Sequence, residues 1–524
     1  MLDSYLTVVA AGLAATYLFF WALLHSTQDA KEPPSIEGWI PFLSPVLQMT
    51  RQSSNIYRYL RDKHDLPIYT LRLPGSRLYI VNDTRLNPVV QKQVRALSFA
   101  PLLVRVFSHF MGFSPAALAV AGADAVEHHG FVHQMTVQTG QALAPGPNLD
   151  ALNAKAVSIL NASLSALSAK EAPTVVKLFE WASHEIMMAT TDAIYGPRNP
   201  FREAAVRDAY YKLEGGLLTL ITGFLPSLLA KESLQAREVL TEAFLKYYAV
   251  GGLDEGASAY ARDRYEYPTS LGVPTRDIAR MEAGGSIGLI SNTMPATFWT
   301  LWHAFSSPAV LADCRGELLA QAVEERDGRR DLDLARIKSA CPVLVSTMRE
   351  AFRLHSVGVS ARAVTEDHVL GGRYLLKKGS TLIMPSTVQH SSASAWGLDV
   401  DDFQHARFVQ QAGRKAANNP VAFRAFGGGA TLCPGRHFAS TEILAFAAVI
   451  LLRFDAAPLS GSSWDTRGYR EANAAFRLPR RDFEVRLTPR DQDDGTAWHV
   501  YFSEPGRAVA VSAEDEDASA GREV

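Results

Sequence analysis

Cys433 stands in Phe426-Gly-Gly-Gly-Ala-Thr-Leu-Cys433-Pro-Gly435-Arg436-His437-Phe438-Ala439, directly ahead of an apolar run with helical spacing. The glycines, Gly429 among them, let the backbone turn tightly and approach a flat ligand closely. Pro434 and Gly435 turn the chain into a helix expected to start near Arg436. A cysteine at such an entry feels the positive end of the helix dipole and unpaired N–H groups. Both favour the thiolate, the form that binds metal. A lone cysteine beside a glycine-rich turn is also commonly a buried structural residue. Neither Gly-x-Gly-x-x-Gly nor Gly-Lys-Ser/Thr occurs in this loop, which removes the usual nucleotide-binding readings.

Two further groups of residues give the loop company. Ser346-Thr-Met-Arg-Glu350-Ala-Phe-Arg353-Leu-His355 reads as a helix with Pro342 in its first turn. Glu350 and Arg353 share one face of it. As a solvated ion pair they would contribute only ~0.3 kcal/mol. Phe403-Gln-His-Ala-Arg407-Phe408 then adds a third charge before Cys433. The loop's pattern Phe-x-x-Gly-x-x-x-Cys-x-Gly resembles the haem-binding loop of the cytochrome P450 family. Glu350, Arg353 and Arg407 resemble that family's buried structural triad, which braces the loop. The resemblance implies haem b as cofactor, Cys433 as axial ligand to its iron, and Phe426, Gly429 and Gly435 framing it.

A second region of chemical interest runs from Thr275 to Phe305, a long helical candidate containing Gly284, Gly285, Gly288 and Pro295. Glycine and proline are unfavourable inside helices, so something local should offset them. Pro295 cannot donate to the Ser291 carbonyl, which predicts a kink beside Ser291, Asn292 and Thr293. The segment resembles the family's distal, oxygen-activating helix, with a departure: the acid position holds Ser291 and the usual threonine position holds Asn292. Asn-Thr-Met-Pro-Ala-Thr-Phe-Trp is similar to the branch with sterol 7α- and 12α-hydroxylases and prostacyclin synthase. Asn292 can hold a water or a distal oxygen through its amide but does not titrate near pH 7. Proton delivery would then pass through water, Ser291 or Thr293, and these two with Asn292 are the residues read here as catalytic.

The elements that position these groups follow. Residues 66–73 and 77–81 read as two strands around Pro74-Gly75-Ser76, a hairpin. Ser360-Ala-Arg362-Ala-Val364 follows the Glu-x-x-Arg helix, where the family places an arginine on a haem propionate; Arg362 takes that role here. Thr431 occupies a site the family gives to another propionate-binding arginine. His128, His129 and His133 lie on the helical stretch that carries a further donor in the family, and His129 and His133 are its candidates. The run from Gly435 to Phe454 is apolar on nearly every turn, as a buried helix backing the cofactor requires. By family analogy the stretches 102–118 and 211–229 line the pocket.

Of 524 residues, 47% are hydrophobic and 20% charged, an ordinary globular composition. A net charge of −2 gives no reason to invoke nucleic acid. Three widely spaced cysteines do not make a disulfide framework. No repeat or long polar linker appears before residue 490, so residues 31–490 read as one catalytic domain, mainly α with small β-sheets, the cytochrome P450 fold by resemblance. Tyr5 through Leu24 is uncharged and mainly apolar, long enough to span a bilayer, so residues 1–30 read as a single transmembrane anchor. The run exceeds a signal-peptide core and no small-residue cleavage site follows it. Lys31 after the run and Asp3 before it place the catalytic body on the cytosolic side, by resemblance that of the endoplasmic reticulum membrane. Pro33, Pro34 and Pro41 suit a stiff spacer. Residues 491–524 are polar and read as a disordered tail.

These features together imply a membrane-anchored haem-thiolate monooxygenase that oxidises a hydrophobic small molecule. It would take electrons from NADPH through a cytochrome P450 reductase. Arg414, Lys415, Arg424 and Arg436 are candidates for the face that meets an acidic reductase; a solvated face is the other reading of those charges. Segments such as Phe179 to Ile186 resemble fungal relatives that decorate specialised metabolites, which points to a terpenoid, steroid-like or polyketide substrate. Two alternatives stay open: a reductase-independent isomerase or dehydratase acting on a peroxide, and a haem or lipid-binding protein without turnover.

Overall fold

The structure is a computed structural model that describes residues 2–169, 172–410, 419, 421–459, 464–471, 475–490, 497–503, 512 and 515. Helix α1, Leu2–Ser26, is apolar on every side, and the body buries almost none of it. It is long and apolar enough to cross a membrane. The segment after it is tied down rather than a free spacer. Arg72 donates to Thr27 Oγ1 (2.6 Å) and Gln28 Oε1 (3.1 Å), and Tyr79 donates to Glu32 Oε2 (2.8 Å). Thr70 N–H bonds the Pro34 carbonyl and Ile36 N–H bonds that of Thr70.

Those contacts fall on a five-stranded sheet of β1 (Ile68–Leu73), β2 (Ser76–Val81), β3 (Leu97–Ser98), β4 (Val359–Val364) and β5 (Thr381–Pro385), in the order β1-β2-β5-β4-β3. β1 and β2 form the expected antiparallel hairpin, closing at Leu73 opposite Ser76. Gly75 sits there at φ 68°, a conformation that only glycine adopts cheaply. β5 runs parallel to β2 and antiparallel to β4.

The rest is helical. α2 spans Phe131–Leu143, α3 Pro147–Ser168, α4 Leu178–Tyr195, α5 Ala204–Gly215, α6 Lys231–Ala249 and α7 Ala259–Ser270. α8 covers Thr275–Ile290, α9 Thr293–Ser306, α10 Pro308–Gln321, α11 Pro342–His355 and α12 Arg436–Arg453. α12 is buried over almost its whole length, packed by α3, α9 and α10. A helix apolar all round has no solvent-facing solution, so it becomes the centre of the bundle. α8 lies on α6 and α7, and α9 on α4 and α11.

Two sequence expectations change. His128 and His129 sit in the turn before α2 rather than on a helix, because Gly130, at φ −66° and ψ 151°, starts the helix only after it. The polar tail is not uniformly unstructured. Ala497–Tyr501 pairs in parallel with Arg329–Asp333, and Trp498, Val500 and Phe502 pack on the core. Their alternation is a strand signal that the surrounding polar composition obscures.

Candidate active site

The long helix predicted over 275–305 is broken at its chemical centre. α8 ends with Ser291 N–H on the Ile287 carbonyl (3.1 Å), and α9 restarts with Ala296 N–H on that of Asn292 (3.2 Å). Pro295 has no N–H for the Ser291 carbonyl, so the ladder skips a rung where the sequence predicts it. Met281, Gly285, Gly288 and Asn292 follow one another at spacings of four, three and four, which is a single stripe along the helix. Gly288 is exposed in the middle of an otherwise buried helix, and a Cβ added there would meet nothing within 4 Å. Asn292 is half-buried and continues the stripe. Ser291 and Thr293 are buried to either side of it, Ser291 against the Tyr210 hydroxyl of α5.

The Cys433 loop is a tight, internally bonded turn. Cys433 N–H donates to the Phe426 carbonyl (2.9 Å), and the Arg436 guanidinium donates to the Cys433 carbonyl (3.2 Å). Gly427 and Gly429 hold φ of 78° and 60°. At Gly429 a side chain would also strike Gln91, whose Cγ lies 2.9 Å from the position of a Cβ. Gly435 takes an ordinary backbone, and a Cβ there would make only van der Waals contact with Leu143 and the Cys433 sulfur. Burial pushes the Cys433 thiol up, and the N–H groups of Gly435 and Arg436 and the Arg436 charge pull it back only in part. The helix entry alone therefore does not make the thiolate; a coordinated cation would, since a metal-bound thiol is deprotonated.

Behind the loop the three charges expected to form a triad do meet. Arg353 donates to both oxygens of Glu350 (2.7 and 2.8 Å), and Arg407 Nε donates to Glu350 Oε1 (2.8 Å). All three are buried, Glu350 completely. Arg353 also holds the His390 and Val400 carbonyls, and Arg407 those of Trp396 and Asp399. His390 Nε2 in turn accepts from Arg424 N–H (2.8 Å), two residues before Phe426. Phe352 of α11 meets Phe426 edge to face at 5.5 Å. The triad reaches the cysteine loop through these two contacts. An isolated buried ion pair stabilises little, but one whose remaining donors are all satisfied fixes geometry.

Between the cysteine loop and α8 lies a cavity of about 350 Å³. Ala430, Thr431, Leu432 and Pro434 line one wall, Met281 and Gly285 another, and Leu103, Phe107 and Met111 a third. Thus residues of the 102–118 stretch do line it, whereas none of 211–229 does. Arg362 of β4 reaches it almost fully buried, donating to the Ala361 carbonyl (2.8 Å) and Thr431 Oγ1 (2.6 Å). Thr431, which replaces an arginine of the family pattern, has become that guanidinium's hydroxyl partner. Among the described residues no carboxylate pairs with Arg362, and burial, then Arg424, pushes its pKa down to about 10. A buried cation without a counter-ion is the environment an acid group of a bound cofactor would satisfy.

The histidines divide. His128 and His133 both line the cavity, His128 Nδ1 lying 3.4 Å from His133 Nε2. His129 is exposed, bonded to Asp124 (3.2 Å), and does not line it; the shared helical face expected of His129 and His133 is lost because α2 begins after His129. The proposed docking face also changes. Arg424 is buried beside Gln91 and Ser360, Arg414 and Lys415 lie outside the described residues, and Arg436 is bonded to Asp515 (2.7 Å).

Three residues had no part in the sequence reading. Gln91 reaches Gly428 and Gly429 from a short helix with no motif of its own. Glu442, nine residues after Cys433 on α12, is fully buried with the Thr190 hydroxyl (2.8 Å) as its partner, and burial raises its pKa to about 8. An acid within an apolar run was its signal. Arg264 lies at the cavity wall against Gly285.

The fit to a haem rests on three observations here: the looped Cys433, the open stripe at Gly288, and the uncompensated Arg362. The profile of the cytochrome P450 family matches residues 288–481. The chain is 32% identical over 515 residues to the cytochrome P450 monooxygenase nodJ of Hypoxylon pulicicidum, which covers 95% of this chain and 98% of that one. A stretch of 182 residues is 29% identical to the cholesterol 7-alpha-monooxygenase of Cricetulus griseus, 32% of this chain and 36% of that one. The solved structure of a retinoic-acid-bound cyanobacterial CYP120A1 matches with a TM-score of 0.70 at 18% identity, over 88% of this chain and all of that one. At that identity the likeness is one of fold.

Proposed function

Because the chain belongs to the cytochrome P450 family, we propose that it is a membrane-anchored haem-thiolate monooxygenase that oxidises an apolar small molecule with O2 and electrons from an NADPH-dependent reductase. The observation that supports this reading is the braced Cys433 loop, whose Ala430, Thr431, Leu432 and Pro434 share one cavity with Met281 and Gly285 of α8, the helix stripe that Gly288 and Asn292 continue. Bound there, haem supplies oxygen activation and C–H oxidation, chemistry that belongs to the cofactor. Cys433 would hold its iron, and Arg362, with His133 at the cavity edge, would hold its propionates. The chain's own part is positional. The triad fixes the height of the loop, and the apolar walls exclude water from the reacting carbon. The Asn292 amide, which accepts and donates without titrating, orders the solvent or oxygen nearest the helix break. Ser291 and Thr293, the hydroxyls flanking it, pass protons through water to that point.

The apolar anchor and the stretch similar to a cholesterol 7-alpha-monooxygenase support a hydrophobic substrate that enters from the membrane. A terpenoid, steroid-like or polyketide intermediate of specialised metabolism is the class we assign, and the endoplasmic reticulum the membrane. Mass spectrometry of producing-host extract incubated with the membrane-bound protein, with and without reductase and NADPH, tests this. A product heavier by one oxygen, formed only with reductant, is expected. Asn292 in place of the family's threonine favours one second reading, an isomerase acting on a peroxide; a product of unchanged mass formed without reductant would establish it instead.

A further inference from the structure

Gly285 sits in the interior of α8, where glycine costs about 1 kcal/mol against alanine. What the missing side chain permits is visible beside it. A Cβ at Gly285 would lie 2.4 Å from Nη2 of Arg264, which comes up from α7. The guanidinium occupies the space that any other residue at 285 would fill, and both residues line the cavity.

Arg264 is nine-tenths buried and mostly spoken for. Its Nε donates to Glu282 Oε2 (2.7 Å) and its Nη2 to the Met281 carbonyl (3.2 Å). Glu282 is itself fixed by the Tyr195 hydroxyl at 2.7 Å. The Arg264 guanidinium also stands over the Tyr260 ring at 5.4 Å. Nη1 has no partner among the described residues. The cation is thus held from behind by an acid, a carbonyl and a ring, with one N–H edge left over at the wall of an otherwise largely apolar chamber. Its charge is already balanced by Glu282, so a second carboxylate would gain little from it. A neutral acceptor would gain a directed hydrogen bond where no water competes well.

We propose that Arg264, exposed through the gap at Gly285, reads a neutral oxygen acceptor on the substrate, a ketone, ester or hydroxyl carried by an otherwise apolar skeleton. This rests on the proposed function, with the cofactor at the Thr431 wall of the cavity and the substrate at its α8 wall. Arg264 acts as a specificity-determining residue, turning the apolar skeleton so that one end is anchored at α8. Arg362, at the Thr431 wall, is left for the cofactor.

The test is an optical titration of the purified haem-loaded protein with 5α-androstan-3-one and with its parent hydrocarbon 5α-androstane, followed in the Soret band. The wild type should bind the ketone about tenfold more tightly than the hydrocarbon, the value of one hydrogen bond to a charged donor. The paired variant Arg264→Gln/Glu282→Gln, which leaves no buried charge unpaired, should lose that preference while hydrocarbon affinity stays unchanged. Gly285→Ala, which pushes the guanidinium aside, should lose it too. A wild type without the preference, or a preference that survives both variants, overturns the proposal. So does a paired variant that folds normally by circular dichroism yet retains no haem, which would assign Arg264 to the cofactor. A wild type that itself lacks the long-wavelength carbon monoxide band of thiolate-ligated haem would instead defeat the proposed function, before Arg264 is ever tested.

Discussion

Asn292 concentrates what is unusual about this site at the scale of one side chain. It lies just past α8, in line with Met281 and Gly285 of the cavity wall, while the two hydroxyl residues beside it are buried off that stripe. An amide at this position can orient a water but cannot release a proton, so its contribution is geometric. Asn292→Leu removes donor and acceptor together with little change in volume. Product formed per NADPH consumed should fall at least about tenfold, with reductant consumption persisting, because oxygen activation is uncoupled from proton delivery. Unchanged coupling would mean the amide has no part in the reaction. Cys433 makes a different point at the same scale. Its helix-entry position is legible in the sequence, but its burial is not, and burial decides the direction in which its acidity moves.

At the scale of elements, the molecule spends buried charge on holding two loops against α11 and α12. Glu350→Ala would leave the buried Arg353 with carbonyls only and Arg407 with carbonyls and the half-exposed Asp399 carboxylate, a loss of about 3–5 kcal/mol. A lower denaturant midpoint and a reduced haem content in the folded fraction are expected, even though residue 350 is not at the cavity. α12 carries the opposite arrangement, a buried acid with no cation beside it among the described residues. Glu442 has a folded-state pKa of about 8 against the ordinary 4.5. Between those values the folded chain keeps a proton that the unfolded chain has released, so stability falls as pH rises through that window. Glu442→Gln stays neutral throughout. Thermal melts of variant and wild type should coincide below about pH 4 and separate toward pH 8, with the variant the more stable. Curves that separate in acid instead would show that Glu442 is ionised in the folded state.

The whole molecule adds a constraint that neither scale contains, the attachment of the apolar helix to the catalytic body. Thr27, Gln28, Glu32 and Pro34 are bonded to β1 and β2, so the body begins before the prolines that read as a spacer. Deleting residues 2–25 should release the protein from membranes, read by sedimentation after carbonate washing, with its thermal stability intact. Deleting residues 2–36 should lower the melting temperature as well, because the buried Tyr79 and Arg72 lose their hydrogen-bond partners. Equal stability of the two truncations would show that the stitching contributes nothing.

The sequence by itself determined the chemistry and most of the frame. The spacing around Cys433, the pair Glu350 and Arg353, the break at Pro295 and the apolar runs of α1 and α12 are local patterns. Each is written in consecutive or helically spaced residues, where sterics and periodicity act directly. Tertiary structure alone decided which residues share the cavity. Arg264 and Gly285 are 21 positions apart in sequence and belong to different helices, yet the packing of α7 on α8 makes one the occupant of the other's missing side chain. His129 and His133 look equivalent until the start of α2 turns one outward and the other in. Arg424 looks like a surface charge until the loop closes over it. Direction, burial and partnership arise from contacts between distant segments, which no local pattern encodes.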